Sequence, residues 1–451
     1  MNQLPLRHEL TRLFREAFAS RGADPAAGDV VLAQKPELGD FQCNGALAAA
    51  KALKLNPRQL AQDVVVALGE NPLWTTLEIA GPGFINIRVG NAALADGLGA
   101  TGADPRLGVA KVAAPRKFVL DFGGPNVAKP MHVGHLRSSI IGDSLQRLLR
   151  FLGHHVVSDI HLGDWGTQMG MLIGEVRAEH PSLPYFEEVP RAAYPTEPPV
   201  TIEDLQRLYP QASGRCKTDP AALAAAQKAT AELQQGRPGY RALWRHFVEL
   251  SLKELRDDFG ALGVKFDHWF GESNYHEDLA PMVAKLRASG VAIEDAGAII
   301  IPVAQADDKT EIAPLLLVKS DGGYLYATTD LATIQQRVRD FQAQVILYVV
   351  DKRQSLHFDQ VFRAARKSSI AADVSLEHLA FGTMNGADGR PFKTRAGGVM
   401  RLKDLIQLMT EEADRTMLES GVSDGYQAEE RARIARVLSL IHISEPTRLR
   451  R

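Results

Sequence analysis

The stretch MHVGHLRS, residues 131–138, sets His132 and His135 three residues apart around Gly134 and runs directly into a helix-like pattern. On one helical turn two such imidazoles could take a metal ion, but no third ligand lies at a familiar motif distance, so no metal site is expected. The run GGPNVAKPMHVGH instead joins the end of an apolar segment to the start of a helix. Free backbone N–H groups and the helix dipole favour an anion there, and Gly134 lets the backbone come close to it. Two imidazoles at that point could donate hydrogen bonds to the charge that grows on a phosphate during attack at the α-phosphorus. That is electrostatic catalysis without a covalent intermediate. The residues therefore favour adenylyl transfer over a metal centre, with a satisfied histidine turn as the bland alternative.

The elements that must hold these histidines are legible around them. FVLDF (118–122) reads as a buried strand, Leu136, Ile140, Leu145, Leu148 and Leu152 mark a helix, and VVSDI (156–160) is a second strand. Strand, helix, strand at this spacing is a βαβ unit, and ligands of open α/β sheets sit beyond the carboxyl ends of the strands. From about 171 to 290 the apolar spacing is helical, as in Trp244, Phe247, Val248, Leu252, Leu255 and Phe259, which predicts an inserted helical segment. AIIIPV (298–303), LLLVKS (315–320), YLYATTD (324–330) and VILYVVD (345–351) are expected to complete the sheet. Asp330 would then cap a helix running from Leu331 to Phe341.

The fold expected for residues 118–437 is accordingly α/β, a doubly wound parallel sheet of Rossmann type with a helical insertion. Residues 1–100 form a small α+β unit, read from the helix pattern Leu6, Leu10, Leu13, Phe14, Phe18 and the strand pair LEIAGPGFINIRV. The Gly-, Ala- and Pro-rich run before Phe118 supplies a linker at 101–117.

Composition narrows the class. At roughly 100 to 200 residues per domain, a chain of 451 residues has two to four of them, and 45% apolar with 24% charged residues is ordinary for a globular protein. Cys43 and Cys216 are the two cysteines, too few for a disulfide framework or a cysteine zinc site, and they suit a reducing compartment, hence the cytoplasm. No apolar stretch approaches the roughly 18 residues of a membrane span. With a net charge of −2, any RNA partner must be held by a local basic surface rather than by global attraction.

The longer run DFGGPNVAKPMHVGHLRSSIIGD, followed by LGDWGTQMGMLI, closely resembles the catalytic start of bacterial-type arginyl-tRNA synthetases of class I. FDHWFGES (266–273), GYLYATTDLA (323–332), YVVDKRQSLHF (348–358) and MNGADGRPFKTRAGG (384–398) agree with that family in order, and the resemblance covers residues 1–437. It implies that ATP, accompanied by Mg2+, activates L-arginine to arginyl-adenylate, and that the terminal adenosine of tRNA(Arg) then accepts the arginyl group. It implies no protein-bound metal, and a monomer is expected.

Residue by residue, the resemblance places the guanidinium against Asp330 in a Tyr-x-x-x-Asp spacing with Tyr326. It gives Asp121, Asn126 and Gln354 to the rest of the arginine substrate, with a structural role for Asp121 left open at the end of its strand. Lys129 is implied as a point charge beside the ATP phosphates that His132, Gly134 and His135 also meet. Where class I enzymes carry a lysine–serine loop this chain has PFKTRAGG, so Lys393 and Arg395 are the cations available to close over pyrophosphate. Gly163, Asp164, Trp165 and Gln168 lie just past the second strand, where they could reach the tRNA 3′ end or, for Trp165, fill the core. The N-terminal unit resembles the family's tRNA-contacting domain.

After Val437 the pattern departs. LSLIHISEPTR (438–448) reads like the translation of a transposon-end sequencing adapter, so residues 438–451 are expected to be a non-native tail standing where the family continues into its anticodon-binding domain. Two rivals remain open at this point, a non-catalytic RNA-binding fragment and a simple HxGH nucleotidyltransferase.

Overall fold

A computed structural model of the chain describes residues 6–320, 322–382 and 400–444. They divide into two units, Met1–Val112 and Ala113–Arg451.

In the first unit α1 (Leu6–Ser20) buries Leu10, Phe14 and Phe18 along one stripe. Strands β1 (Val30–Leu32) and β2 (Phe41–Cys43) precede helices α2 (Ala46–Leu53) and α3 (Pro57–Leu68), and β3 (Trp74–Ala80) and β4 (Phe84–Val89) follow. The strands pair antiparallel in the order β1-β2-β4-β3. Asn56 caps α3, accepting from the N–H groups of Arg58 and Gln59, and Pro57 fixes the first helical φ. Helix α4 (Asn91–Ala103) then runs into the segment read as linker, so regular structure ends a few residues later than the sequence suggests.

The second unit is built on five parallel strands, β5 (Lys117–Phe122), β6 (His155–Leu162), β7 (His268–Gly271), β11 (Val345–Val349) and β12 (Ser375–His378), in the order β12-β11-β5-β6-β7. Counted along the chain this is the Rossmann order 3-2-1-4-5, and the strand order reverses between β5 and β11. Alternation across the pleat dresses the two faces. Leu120 and Phe122 of β5 and Val345, Leu347 and Val349 of β11 pack with Leu136 of α5 (Val133–Phe151). Val119, Ile346 and Tyr348 point the other way, into a core shared with α10 (His276–Ala288), α11 (Tyr326–Asp340) and α12 (Ser355–Lys367).

Helices α6 (Thr167–Glu179), α7 (Ile202–Thr218), α8 (Pro220–Gln234) and α9 (Pro238–Ala261) form the insertion around Leu172, Tyr185, Leu205 and Phe247. The insertion is shorter than the sequence suggests, because β7 lies inside the stretch read as helical to 290 and pairs in parallel with β6. AIIIPV and LLLVKS do form strands, but β8 (Ile293–Asp295), β9 (Ala298–Ile301) and β10 (Leu315–Val318) make a separate antiparallel sheet.

The run YLYATTD also departs from expectation, for Tyr326–Asp330 is the first turn and more of α11, capped by Leu325 and not by Asp330. Its β-branched residues read as strand. What holds them helical is burial of Ala327, Leu331 and Ile334 at helical spacing, with Thr328 Oγ1 donating to Leu317 O at 2.5 Å and Thr333 Oγ1 to Thr329 O at 2.8 Å. Helices α13 (Leu402–Glu419) and α14 (Ala428–Ser444) pack together, with Thr410 Oγ1 donating to Ser439 Oγ at 3.0 Å. Residues 438–444, the start of the expected tail, continue α14, and 445–451 lie outside the described residues. No helix among the described residues is long and apolar enough to cross a membrane.

One interaction fixes α11 on the sheet. Arg337 is fully buried, and its Nη2 donates to Asp121 Oδ2 of β5 and Asp159 Oδ2 of β6, both at 2.7 Å. Removing the guanidinium leaves two buried carboxylates uncompensated, so Arg337→Met is expected to cost about 3–5 kcal/mol in urea unfolding. Arg415→Ala on the surface of α13, where the side chain is 58% exposed, is expected to cost about 0.5 kcal/mol or less. Similar losses for the two variants would contradict the anchoring role.

Candidate functional site

The chain leaves β5 through Gly123 and Gly124, both at positive φ, and Gly123 N donates to Ser138 Oγ at 2.8 Å. Ser138 Oγ in turn donates to Val349 O at 2.6 Å, so the first turns of α5 are tied to the ends of β5 and β11, on either side of the reversal in strand order. His132 is the N-cap of α5. Its Nδ1 accepts from Gly134 N at 3.0 Å, and His135 Nδ1 accepts from His132 N at 3.1 Å, a reciprocal capping box made of two imidazoles. The rings stack with centroids 3.9 Å apart.

This geometry settles their chemistry. A ring nitrogen that accepts from a backbone N–H carries no proton, so both neutral rings hold theirs on Nε2. Burial, then the charges of His132 and Lys129, pushes His135 down to about 3. Burial and Lys129 lower His132 as well. At neutral pH the pair is two uncharged Nε2–H donors at a helix N-terminus. The lone pairs a metal would need on Nδ1 are already used by the backbone.

Next to the pair, Asn126 forms a parallel bridge to Gly163, and Val127 N donates to Gly163 O at 3.0 Å. A Cβ on Gly163 would fall 1.9 Å from Asn126 Oδ1, so a larger residue there would force the Asn126 amide to turn away. Ala128, at φ 64°, is held by Ser251 Oγ at 2.9 Å, and Lys129 Nζ lies 4.6 Å from the centre of the Tyr209 ring on α7. Asp164 is buried and accepts from Ser273 N at 2.9 Å and Ser273 Oγ at 2.6 Å, which makes it a brace for the turn after β7. Trp165 is 4% exposed, edge-on to Trp244 and His276, with the Arg241 guanidinium 4.5 Å over its ring. Gln168 Nε2 reaches Gly163 O at 3.4 Å.

A cleft of about 340 Å³ opens here, with Asn126, Trp165, Gln168, Glu272, Tyr326 and Thr329 in its lining. Tyr326 and Thr329 enter from the start of α11, and Asp330, the next residue, is not itself in the lining. Asp330 Oδ2 accepts from His357 Nε2 of α12 at 2.5 Å, and Tyr326 lies over the same imidazole with ring centres 4.6 Å apart. Gln354 is exposed in the single turn between β11 and α12. Asp121 is not among these lining residues, its carboxylate being held by Arg337 in the core. Lys393 and Arg395 lie outside the described residues.

Two further side chains belong to the constellation. FGES and RQSLHF contain Glu272 and His357, but nothing in their spacing separates either residue from a surface polar. Burial pushes the Glu272 carboxyl up to about 7, with Asp164 and Asp330 adding to the rise and His161 opposing it. Among the described residues no group of three His, Cys, Asp or Glu side chains is disposed to hold a metal ion.

The raised Glu272 carboxyl has a consequence for stability. The folded state binds its proton more tightly than the unfolded chain, so its contribution is fully present below pH 4.5 and is lost as pH rises through about 7. Glu272→Gln is therefore expected to match the parent near pH 4.5 and to be more stable at pH 8, by at most about 3 kcal/mol. Denaturant midpoints at the two pH values check this, and a gap that does not widen with pH contradicts it.

Comparison with known proteins agrees with this architecture. The family model described as "tRNA synthetases class I (R), catalytic domain" matches residues 103–445, and "Arginyl tRNA synthetase N terminal domain" matches residues 8–89. The chain is 52% identical over 436 residues to an arginine–tRNA ligase of Maricaulis maris, covering 96% of this chain and 74% of that one. It is 52% identical over 403 residues to that of Hyphomonas neptunium, covering 89% and 68%. Solved structures similar in fold are arginyl-tRNA synthetases of Plasmodium falciparum and Thermus thermophilus, with TM-scores of 0.69 and 0.67 at 24% and 20% identity, covering 98% and 97% of this chain and 74% of each of those.

Proposed function

The chain belongs to the class I arginyl-tRNA synthetases and ligates arginine to tRNA, and from that premise we propose which of its side chains carry the two steps. ATP binds with its α-phosphate at the N-terminus of α5. The arginine carboxylate attacks the α-phosphorus, the bond to pyrophosphate breaks, and charge builds on the non-bridging oxygens. The Nε2–H groups of His132 and His135 receive that charge, because the amides of Val133, Gly134 and His135 are already bonded to Met400 O, His132 Nδ1 and His132 O. The paired, neutral donors of the histidine cap are the observation that carries this reading.

Lys129 turns from Tyr209 to the phosphates, and magnesium arrives with ATP. Lys393 and Arg395 are assigned to pyrophosphate from the sequence alone. Asp330 and Tyr326 take the guanidinium, Asn126 meets the α-amino and carboxylate end, and Gln354 makes a further substrate contact, with Glu272 adding a second acidic group nearby. For Asp121 the ion pair with Arg337 supports a supporting role in place of a direct contact. Trp165 and Gln168, braced through Gly163 and Asp164, receive the 3′-terminal adenosine of tRNA(Arg) for transfer. Residues 1–100 contact the tRNA, and 118–437 carry the chemistry. We assign the chain to the cytoplasm as a monomer, in keeping with its two free cysteines.

Asp330→Asn is expected to weaken arginine binding at least tenfold with little effect on ATP, since a charge-assisted hydrogen bond is worth roughly 1.5–3 kcal/mol. Equal loss for both ligands in calorimetry contradicts the assignment. His135→Ala is expected to slow adenylate formation about 100-fold or more while arginine affinity stays within about twofold, because the contact strengthens only as charge builds. An unchanged single-turnover rate removes His135 from the mechanism.

A further inference from the structure

Asp330 meets His357 in a way the assigned chemistry does not require. The two side chains are 20% and 13% exposed, so their 2.5 Å contact is largely sheltered from water. His357 stands in the first turn of α12, while Asp330 and Tyr326 stand in the first turns of α11. One imidazole thus touches both substrate-facing residues of α11, bonding one and underlying the other at 4.6 Å. The helices themselves are tied independently, through Leu331 and Ile334 of α11 and Phe358, Val361 and Phe362 of α12 in one core. The histidine is not needed to dock them.

We propose that His357 is a positioning residue for arginine recognition, which by donating from Nε2 to Asp330 Oδ2 fixes the plane of that carboxylate and presents Oδ1 to the guanidinium. The inference rests on the reading of Asp330 as the guanidinium partner. A free aspartate rotates about χ2 over a broad range, and binding must then stop that rotation. A carboxylate already held by one oxygen presents a fixed edge to the planar guanidinium. A compact ammonium gains much less from a fixed plane, so His357 also separates arginine from shorter or rounder cations. An imidazole suits the task because it reaches Asp330 with a single ring N–H. A lysine or arginine in its place would neutralise Asp330 and compete with the substrate.

The test uses the full chain and its variants His357→Ala, His357→Gln and Asp330→Asn. Arginine and ornithine binding are read by calorimetry, ATP binding likewise, aminoacylation at saturating arginine by single turnover, and folding by thermal midpoint. His357→Ala should weaken arginine about tenfold, lower its preference over ornithine, and leave ATP affinity, saturated rate and thermal midpoint near those of the parent. His357→Gln, whose amide nitrogen reaches the place of Nε2, should restore arginine to within about threefold. Unchanged arginine binding in His357→Ala, with a clear loss in Asp330→Asn, overturns the positioning role and leaves the Asp330 reading standing. No loss in either variant overturns both. A uniform fall in both affinities, rate and midpoint that glutamine does not repair makes His357 a structural residue and also overturns the proposal.

Discussion

The buried guanidinium of Arg337 is the constraint on which the site depends. It joins a helix to two adjacent strands, meeting Asp121 at the carboxyl end of β5 and Asp159 on β6. Two turns earlier on the same helix stands Asp330, and one further turn back stands Tyr326. A helix held by apolar packing alone can slide or roll at small cost, whereas two ion pairs in a water-free interior tolerate little displacement. Their worth is therefore in register more than in net stability, since desolvation of three charges offsets most of the attraction between them.

Around that anchor the two halves of the chemistry are electrostatically distinct. At the start of α5 the histidines are neutral because they are buried and because each lends a lone pair to a backbone amide. They contribute oriented dipoles, not charge, and so do not bind phosphate tightly before reaction. The cleft beneath α11 has Glu272 and Lys319 in its lining and Asp330 close by, and burial makes Glu272 resist ionising. A cationic ligand relieves that resistance. On the proposed assignments Asn126, bridged to Gly163 and lining the cleft, stands where the phosphate and guanidinium sites meet.

What could be read from sequence follows from the range over which each feature is determined. The β5–α5–β6 unit and the N-terminal position of His132 and His135 are local, and the structure has them where the pattern of apolar residues and the glycines put them. β7 was hidden because four residues inside a helical stretch carry no period of their own, and their pairing partner lies in β6. The run from Tyr324 to Asp330 was misread as strand because residue type suggested extension, while its hydrogen bonds to Leu317 and its burial are tertiary. Asp121 looked like a substrate ligand or a structural residue with equal force, since its partner is 216 residues away. His357 and Glu272 stood in motifs already noticed, but a shared imidazole and a raised carboxyl are properties of neighbours, not of spacing.

A protein that must bind arginine reversibly while holding one of its own permanently has to distinguish two uses of the same ion pair. For Arg337 the discrimination is by burial, with the guanidinium and Asp159 inaccessible and both carboxylates directed at one nitrogen. Exchange there would require lifting α11 from the face of the sheet. Asp330 is partly exposed and bonded to one ring nitrogen of His357. Its burial is incomplete, so a ligand can approach it without opening the core. On the proposed reading the permanent pair builds the platform and the open one, held in plane by His357, reads the substrate.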